Sequence, residues 1–328
     1  MKKIKILATG GTIAGKAASS TQLTGYTAGA YSVDDLLASV PALGELAQIS
    51  GEQLCNIDSS SITDALLLRL AQRCNELLAQ EDVDGVVITH GTDTMEETAF
   101  FLNLTVKSDK PVVLVGAMRP ATAVSADGPL NIINAVKTAV CAESAGQGVL
   151  VVMNDEIYGG RDVTKTNTAN VATFKAPNGG ALGCIVGGEV RYYYRSVRPH
   201  TLAAEFAISK VTALPRVDII YAHIGQDRVL VDAACAAGAR GLVYAGSGMG
   251  SIHGAVEAAL AEAVQSGVVV VRSSRTGSGS VNAGLARWQE QGFLYADNLN
   301  PQKARLLLQL ALLQTHERSE VQELLLRY

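Results

Sequence analysis

Short runs of β-branched and other apolar residues recur along the chain, each followed by a polar loop and then by a stretch rich in Ala and Leu. The runs are apolar at nearly every position, which is typical of strands covered on both faces. The intervening stretches have apolar residues three and four positions apart, which predicts helices. The sequence therefore predicts an α/β fold with a parallel sheet and helices on both of its faces. In the first half, strands are expected at 3–9, 85–90, 111–117 and 148–154, and helices at 32–40, 64–80, 94–106 and 129–142.

The alternation weakens after Tyr158 and resumes later, which divides the chain into two parts. Glycine is frequent in between, and residues 179–195 have the pattern of a β-hairpin. We predict an N-terminal α/β domain over 1–195, a linker over 196–214 and a smaller C-terminal α/β domain over 215–328. In the second domain, strands are expected at 217–224, 241–246 and 268–274, and helices at 229–239, 253–267 and 300–314.

Composition and charge exclude several classes of protein. The net charge is −4 with both signs interspersed, so the sequence has no basic stripe for nucleic acid or for an anionic membrane. The longest apolar runs, at 148–153 and 267–271, are too short to cross a bilayer. The first residues lack the features of a signal peptide, so the chain as it stands is expected to be cytoplasmic, or periplasmic if a leader has been removed. The 5 cysteines are widely spaced without a C-x-x-C, which predicts free thiols.

The sequence ATGGTIAG, at residues 8–15, directly follows the first predicted strand. Ligands of open parallel sheets bind beyond the carboxyl ends of the strands, and the two glycines allow a sharp turn close to a ligand. Thr12 would present its hydroxyl there, either to a substrate or only as a residue of a tight turn. Residues 10–17 also approach the phosphate-binding pattern G-x-x-x-x-G-K-[ST], but Ala17 stands where the pattern needs a hydroxyl. A nucleotide-binding loop is therefore a weaker alternative.

A second group of polar residues follows the next predicted strand, GVVITH. Thr92 and Asp93 lie before the helix, where a hydroxyl beside a carboxylate suits ammonium binding or proton transfer; the alternative is that Asp93 is a turn residue. Thr94 and Glu97 have the spacing of a capping box, which would open the helix. His90 is expected to be a hydrogen-bonded residue of the core rather than a member of a Ser-His-Asp group.

Two further polar loops follow predicted strands. Lys165 lies between two threonines in the segment 153–167. A desolvated lysine beside a hydroxyl nucleophile lowers the cost of removing its proton, and a solvated surface charge is the alternative. In the segment 117–129, Arg119 and Asp127 are expected to pair and to brace the loop rather than to take part in catalysis.

In their order and spacing, these segments resemble the bacterial L-asparaginase family in its high-affinity type II form. The segments that carry the resemblance extend over essentially the whole chain: ATGGTIAG, THGTDTMEETA, VGAMRP, SADGP, MNDEI, GRDVTKTN, VRSSR and LNPQKARLLLQLAL. The resemblance implies an N-terminal flavodoxin-like domain, a smaller C-terminal α/β domain, and a homotetramer built from two intimate dimers. It also implies active sites between the N-terminal domain of one subunit and the C-terminal domain of its partner. No metal, nucleotide or organic cofactor is expected.

The resemblance also implies the reaction and the residues that carry it out. The reaction is the hydrolysis of L-asparagine to L-aspartate and ammonia through an ester of Thr12, with a mixed glutaminase-asparaginase as the alternative. The residues implied in catalysis are Thr12 as the nucleophile, Tyr26 as the tyrosine that orients or activates it, and Thr92, Asp93 and Lys165 as the proton relay. The residues implied in substrate binding are Gly11, Ser59, Ser60 and Asp93.

Three positions depart from the family pattern, all around the polar end of the substrate. Ser60 stands where many relatives have Gln or Glu, and Met249 stands where many have Asn. The acidic residue expected from the partner subunit has no match, because residues 281–288 contain no carboxylate. These departures leave a non-catalytic amino-acid-binding protein as a further alternative.

Overall fold

The computed structural model describes residues 1–22, 25 and 29–328. These residues form two compact units, Met1–Lys210 and Val211–Tyr328. The first unit contains a large sheet with helices, and the second contains a smaller parallel sheet with helices of its own. The predicted α/β fold, with a larger N-terminal sheet and a smaller C-terminal one, is thereby confirmed. Within the described residues, no helix is both long enough and apolar enough to cross a membrane.

The main sheet of the first unit is mostly parallel. The strands of this unit are β1 (Lys3–Gly10), β2 (Gln48–Ile57), β3 (Gly85–Thr89), β4 (Val112–Val115), β5 (Val149–Met153), β6 (Glu156–Gly159), β7 (Thr164–Lys165), β8 (Phe174–Lys175), β9 (Gly183–Val186) and β10 (Glu189–Tyr192). The sheet has the order β10-β9-β6-β5-β4-β3-β1-β2. Strands β1 to β5 pair in parallel, in the order of flavodoxin-like sheets, whereas β6, β9 and β10 extend the sheet with antiparallel pairs. Strands β7 and β8 form a separate antiparallel pair.

Helices cover both faces of this sheet. They are α1 (Val33–Ala38), α2 (Leu43–Leu46), α3 (Asp64–Leu78), α4 (Met95–Thr105) and α5 (Gly128–Val140). Helices α1, α2 and α5 share one apolar core with alternate residues of the strands, such as Ile6, Val87 and Val113. Helices α3 and α4 pack against each other and against β3 and β5, where the intervening strand residues Val86 and Ile88 are buried. Burial of both strand faces explains why the strands are apolar at nearly every position.

Strands β2, β6, β7 and β8 of the first unit were not predicted, and the two longest, β2 and β6, each have a physical reason. Strand β2 is an edge strand in which only Leu54 is buried, so it has no apolar run to reveal it. Its Glu52 accepts two hydrogen bonds from the guanidinium of Arg73 on α3, at 2.8 and 2.9 Å. Strand β6 follows β5 through the two residues Asn154 and Asp155, both with positive φ, which is the backbone of a type I′ hairpin turn.

The predicted hairpin at 179–195 is confirmed as the antiparallel pair of β9 and β10. Its two-residue turn consists of Gly187 and Gly188, with φ values of +62° and +83°. Positive φ at both positions is the requirement of a type I′ turn, and glycine meets it without strain. The Gly-Gly pair therefore explains why the hairpin could be predicted from the local sequence.

The second unit repeats the α/β pattern on a smaller scale. Its elements are β11 (Val217–Tyr221), α6 (Val229–Ala236), β12 (Gly241–Gly246), α7 (Gly254–Gln265), β13 (Val269–Ser274), α8 (Ala286–Glu290), β14 (Leu294–Tyr295), α9 (Pro301–Ala311) and α10 (Arg318–Arg327). The strands are parallel, in the order β11-β12-β13-β14. Helix α9 begins as predicted, because the Asn300 side chain accepts a hydrogen bond from the N–H of Lys303 at 3.1 Å and Pro301 occupies the first turn.

His90, which follows β3, is fully buried. Its Nδ1 lies 2.6 Å from the carbonyl oxygen of Gly91, and its Nε2 lies 2.9 Å from Oγ1 of Thr98. Both ring nitrogens are thus satisfied, which confirms the predicted core role. Burial lowers the pKa of His90 to about 4, and the hydrogen bond to Gly91 opposes this shift only in part.

We expect the free energy of unfolding to fall between pH 7 and pH 5, partly because of His90. The unfolded imidazole takes up a proton below its ordinary pKa of 6.5, whereas the folded one stays neutral down to about 4. The stability linked to this group is therefore present above the unfolded pKa and is lost as the pH falls, by about 2 kcal/mol at pH 5. His90→Gln should flatten this part of the profile in urea titrations at both pH values. An unchanged slope in the variant would contradict the assignment.

We expect Gly10→Ala to destabilise the chain more than Gly146→Ala. Gly10 has φ +102°, and a Cβ there would lie 2.5 Å from the backbone nitrogen of Ile57. Strain and clash together should lower the free energy of unfolding by about 2–4 kcal/mol. Gly146 has φ +71° with nothing within 4 Å of a Cβ, so its replacement should cost only about 1 kcal/mol. Urea denaturation compares the two variants, and equal losses would contradict a tight contact at Gly10.

Candidate active site

The turn after β1 is built on two glycines. Gly11 has φ +80°, and a Cβ there would lie 2.4 Å from the Cα of Gly91. The N–H of Gly11 donates to the carbonyl of Ile57, the last residue of β2, at 3.0 Å. The end of β1 can therefore lie against backbone on both sides. Thr12 follows directly in a short 3₁₀ turn over Thr12–Ala14, and only 9% of its surface is exposed.

This turn does not have the form of a phosphate-binding loop. Such a loop leads into the N-terminus of a helix, whose N–H groups face the phosphate. Here the 3₁₀ turn ends at Gly15, which is extended, with φ −87° and ψ 148°. Together with Ala17 in the hydroxyl position, this disfavours the nucleotide-binding alternative.

The turn after β2 is bonded to the turn after β3. Ser59 is buried, with 2% of its surface exposed, and its Oγ accepts a hydrogen bond from the N–H of Asp93 at 3.1 Å. A Cβ on Gly91 would lie 2.6 Å from this same Oγ, so glycine is required for the approach. The Oγ1 of Thr94 donates to the carbonyl of Ser59 at 2.9 Å. The predicted capping box of Thr94 and Glu97 is therefore wrong: Thr94 is the N-cap residue of α4, but its hydroxyl joins two turns instead of capping the helix.

Lys165, on β7, connects the two residues that follow Gly91. Its Nζ donates to Oγ1 of Thr92 at 2.9 Å and to Oδ1 of Asp93 at 2.6 Å. The side chain of Lys165 is 15% exposed, whereas that of Asp93 is 58% exposed. Lys165 is thus a partly buried, paired cation and not a solvated surface charge. An ammonium that bridges a hydroxyl and a carboxylate can hold or pass a proton at that hydroxyl.

A cavity of about 500 Å³ opens at this edge of the sheet. It is lined by backbone of the glycine turns, by hydroxyl groups and by charged side chains, from Gly11, Thr12, Gly25, Asp58, Ser59, Gly91, Thr92, Asp93, Met118, Arg119, Lys165, Thr168 and Ala169. The predicted site residues that meet on its wall are Gly11, Thr12, Ser59, Thr92, Asp93 and Lys165. They come from segments far apart in the sequence, which the parallel order of β1, β2 and β3 brings together.

The other two predicted site residues, Tyr26 and Ser60, are not among the described residues of the cavity wall. Tyr26 lies outside the residues that the structure describes. Ser60 is exposed and stands beside the cavity wall, where its N–H and its hydroxyl both donate to Oδ1 of Asp58, at 3.0 and 3.1 Å. Besides Ser59, Asp58 at the start of this turn lines the cavity, and the sequence did not single it out. The one available signal was its place just before Ser59.

The loop between β4 and α5 is braced by Asp127, but not as predicted. The Asp127 carboxylate accepts hydrogen bonds from the backbone N–H groups of Met118 and Arg119, both at 2.9 Å. The guanidinium of Arg119 donates instead to the carbonyl of Ser125, at 2.8 Å. The expected pairing of the two charges is thus wrong, although the loop is held by the same two residues. Arg119 also lines the cavity, a position that its sequence context did not predict.

Across the described part of the chain, no group of three or more His, Cys, Asp and Glu residues is arranged to hold a metal ion. The chemistry that the cavity itself offers is that of hydroxyl groups beside a lysine–carboxylate pair. Such a group can form and hydrolyse an ester, provided that a base takes the proton of the attacking hydroxyl.

Comparison with known proteins gives matches over both halves of the chain. The family described as "Asparaginase, N-terminal" matches residues 3–198, and the family described as "Glutaminase/Asparaginase C-terminal domain" matches residues 216–325. The L-asparaginase 2 of Bacillus subtilis (strain 168) is 51% identical over 98% of this chain and 85% of its own length. A glutaminase-asparaginase of Pseudomonas fluorescens biotype A is 43% identical, over 100% of this chain and 91% of its own length.

A solved structure is similar over its whole length. The crystal structure of a probable cytoplasmic L-asparaginase from Campylobacter jejuni has a TM-score of 0.98 and 50% sequence identity, and the match covers 100% of both chains. The resemblance drawn from the sequence motifs is confirmed by these matches. On the strength of both family matches and of this identity over its full length, the chain belongs to the asparaginase family.

Proposed function

We propose that this protein hydrolyses L-asparagine to L-aspartate and ammonia through an ester formed on Thr12. The observation that carries the proposal is the double contact of Lys165 Nζ, with Thr92 Oγ1 at 2.9 Å and with Asp93 Oδ1 at 2.6 Å. These groups and Thr12 line the same cavity. Membership in the asparaginase family, and relatives named L-asparaginase, support asparagine as the substrate.

In the first step, Oγ1 of Thr12 attacks the side-chain amide carbon of asparagine. A C–O bond forms, the C–N bond breaks, and the proton of the Thr12 hydroxyl passes to the departing nitrogen, which leaves as ammonia. A threonine hydroxyl is a poor nucleophile until a base takes its proton. We assign this help to Tyr26, which orients or activates Thr12, and to the group of Thr92, Asp93 and Lys165.

The hydrogen bonds of this group suit a proton relay. The Nζ of Lys165 can only donate, so Thr92 accepts its hydrogen bond and keeps its own O–H as a donor for another group. The carboxylate of Asp93 keeps the ammonium of Lys165 in place. In the second step, water attacks the β-aspartyl ester, its proton returns through the same group to Thr12, and aspartate is released.

Binding of the amino-acid end of the substrate falls to the turns around Ser59. Its Oγ accepts from the N–H of Asp93, so its own O–H is free to donate to the α-carboxylate of the substrate. Gly11 contributes backbone to the same wall, and Asp93 offers its exposed carboxylate to the α-ammonium. Ser60 would act on the substrate through Asp58, whose carboxylate it holds by two hydrogen bonds.

We further propose that the active protein is a homotetramer made of two intimate dimers. The proposal follows from membership in the asparaginase family. In such an assembly, the cavity described above would be completed by the C-terminal domain of a partner subunit.

We expect Lys165→Met to lower kcat by about 10²- to 10⁴-fold, because it removes the group that bridges Thr92 and Asp93. Lys175→Met is the matched control, since Lys175 lies on β8, the partner strand of β7, and pairs with Glu156 outside the cavity. Ammonia release from asparagine measures both variants. Equal rates in both would exclude the relay. Turnover by the unaltered enzyme also excludes the alternative of a non-catalytic amino-acid-binding protein.

We expect Thr12→Ala to abolish the turnover of asparagine and of glutamine while the fold is retained. The nucleophile is shared by both substrates, which differ only by one methylene group. The ratio of the two kcat/KM values in the unaltered enzyme separates an asparaginase from a mixed glutaminase-asparaginase. After rapid quenching, mass spectrometry should find an aspartyl adduct on the peptide that contains Thr12. Normal turnover in Thr12→Ala would refute the nucleophile assignment.

A further inference from the structure

Asp58 is an exposed acidic residue on the cavity wall. It is the N-cap of the 3₁₀ turn Ser59–Ser61, and only its Oδ1 accepts hydrogen bonds from this turn, from the N–H and the hydroxyl of Ser60. In the described part of the chain, no Lys or Arg forms an ion pair with Asp58, whereas Asp93 is paired with Lys165. The second oxygen, Oδ2, is therefore available to a ligand.

The position of Asp58 is fixed by its neighbour. Ser59 is bonded on one side to the N–H of Asp93 and on the other to the hydroxyl of Thr94. Strand β1 lies between β2 and β3 in the sheet, so the turns of Asp58 and Asp93 flank the turn of Thr12. The turns that follow β2 and β3 contact each other directly, since Ser59 Oγ accepts from the N–H of Asp93 at 3.1 Å. An amino acid whose side-chain amide meets Thr12 would have its α-carbon beside these two turns.

The charges of the cavity favour a cation beside Asp58. The carboxylates on the wall are Asp58 and Asp93, and the cations are Arg119 and Lys165. Lys165 is held by Asp93, and the guanidinium of Arg119 donates to the carbonyl of Ser125. Lys165 therefore pairs with Asp93 and Arg119 is held at a neutral carbonyl, so Asp58 has no directly paired counter-ion among the described residues. An ammonium group of the substrate would supply this counter-ion.

We propose that Asp58 is a specificity-determining residue whose carboxylate, with that of Asp93, binds the α-ammonium of the substrate. This inference rests on the proposed hydrolysis of asparagine, and it assigns Asp58 to the end of the substrate that carries the α-amino group. Amides of the same length without an ammonium lack this charge-assisted contact and are poorer substrates for that reason.

The test compares asparagine with succinamic acid, which has the same amide and carboxylate but no amino group. In Asp58→Asn, the amide oxygen can still accept from the N–H of Ser60, so the cap of the turn is kept while the charge is removed. A charge-assisted hydrogen bond lost from the bound state should lower kcat/KM for asparagine by about 10- to 100-fold. The kcat/KM for succinamic acid should stay the same or rise, because that substrate has nothing to pair with the charge.

Two control variants separate the charge from the structure of the turn. Ser61→Ala changes an exposed side chain of the same 3₁₀ turn but keeps the carboxylate of Asp58, and should change kcat/KM for asparagine by less than about threefold. Asp34→Asn removes an exposed carboxylate on α1, away from the cavity, and should change neither substrate. Equal losses on asparagine and succinamic acid in Asp58→Asn, or no loss on either, would overturn the inference.

A binding measurement distinguishes this inference from the proposed reaction. Calorimetric titration of the unaltered protein and of Asp58→Asn with L-aspartate and with succinate requires no turnover. We expect Asp58→Asn to weaken L-aspartate by about 10- to 100-fold and succinate by much less. Absence of ammonia release in the unaltered protein would refute the reaction alone, whereas equal weakening of the two ligands would refute the role of Asp58.

Discussion

The site depends on close contact between backbones at the carboxyl ends of three neighbouring strands. Gly10 and Gly11 let the end of β1 lie against Ile57 of β2 and against the backbone after β3. Gly91 admits the hydroxyl of Ser59 into the space where a side chain would stand. A single methyl group at any of these positions would meet a neighbour at less than 3 Å. The hydroxyl and carboxylate groups can therefore converge only because these residues have no side chain.

The site also contains a charged side chain from a distant segment of the chain. Lys165 comes from the short β7–β8 pair and lies against Thr92 and Asp93, 73 and 72 residues earlier in the chain. The pair is partly shielded from water on the lysine side, so its attraction is stronger than that of a fully exposed ion pair. A fixed cation beside a buried hydroxyl is what distinguishes this edge of the sheet from an ordinary set of polar turns.

The sequence allowed the prediction of the apolar strands, of most helices, and of the residues that meet at the cavity, because each of these has a local signal. The polar edge strand β2 had none, and with it Asp58, at the end of that strand, was missed. The roles of Thr94 and Asp127 were predicted wrongly, because their partners are decided by which turns and which backbone N–H groups lie near them in space. Local spacing cannot reveal a contact that the packing of the sheet creates.

The edge position of β2 has a consequence for how the chain behaves among its own copies. A long edge strand offers backbone groups to which another chain could pair, and proteins oppose this with charge and with irregular edges. The bidentate contact between Glu52 of β2 and Arg73 of α3 sits on this strand, partly exposed, and intermolecular pairing that covered it would have to desolvate both charges. The polar character of β2, which left it without a sequence signal, therefore also disfavours the pairing of this edge with another chain.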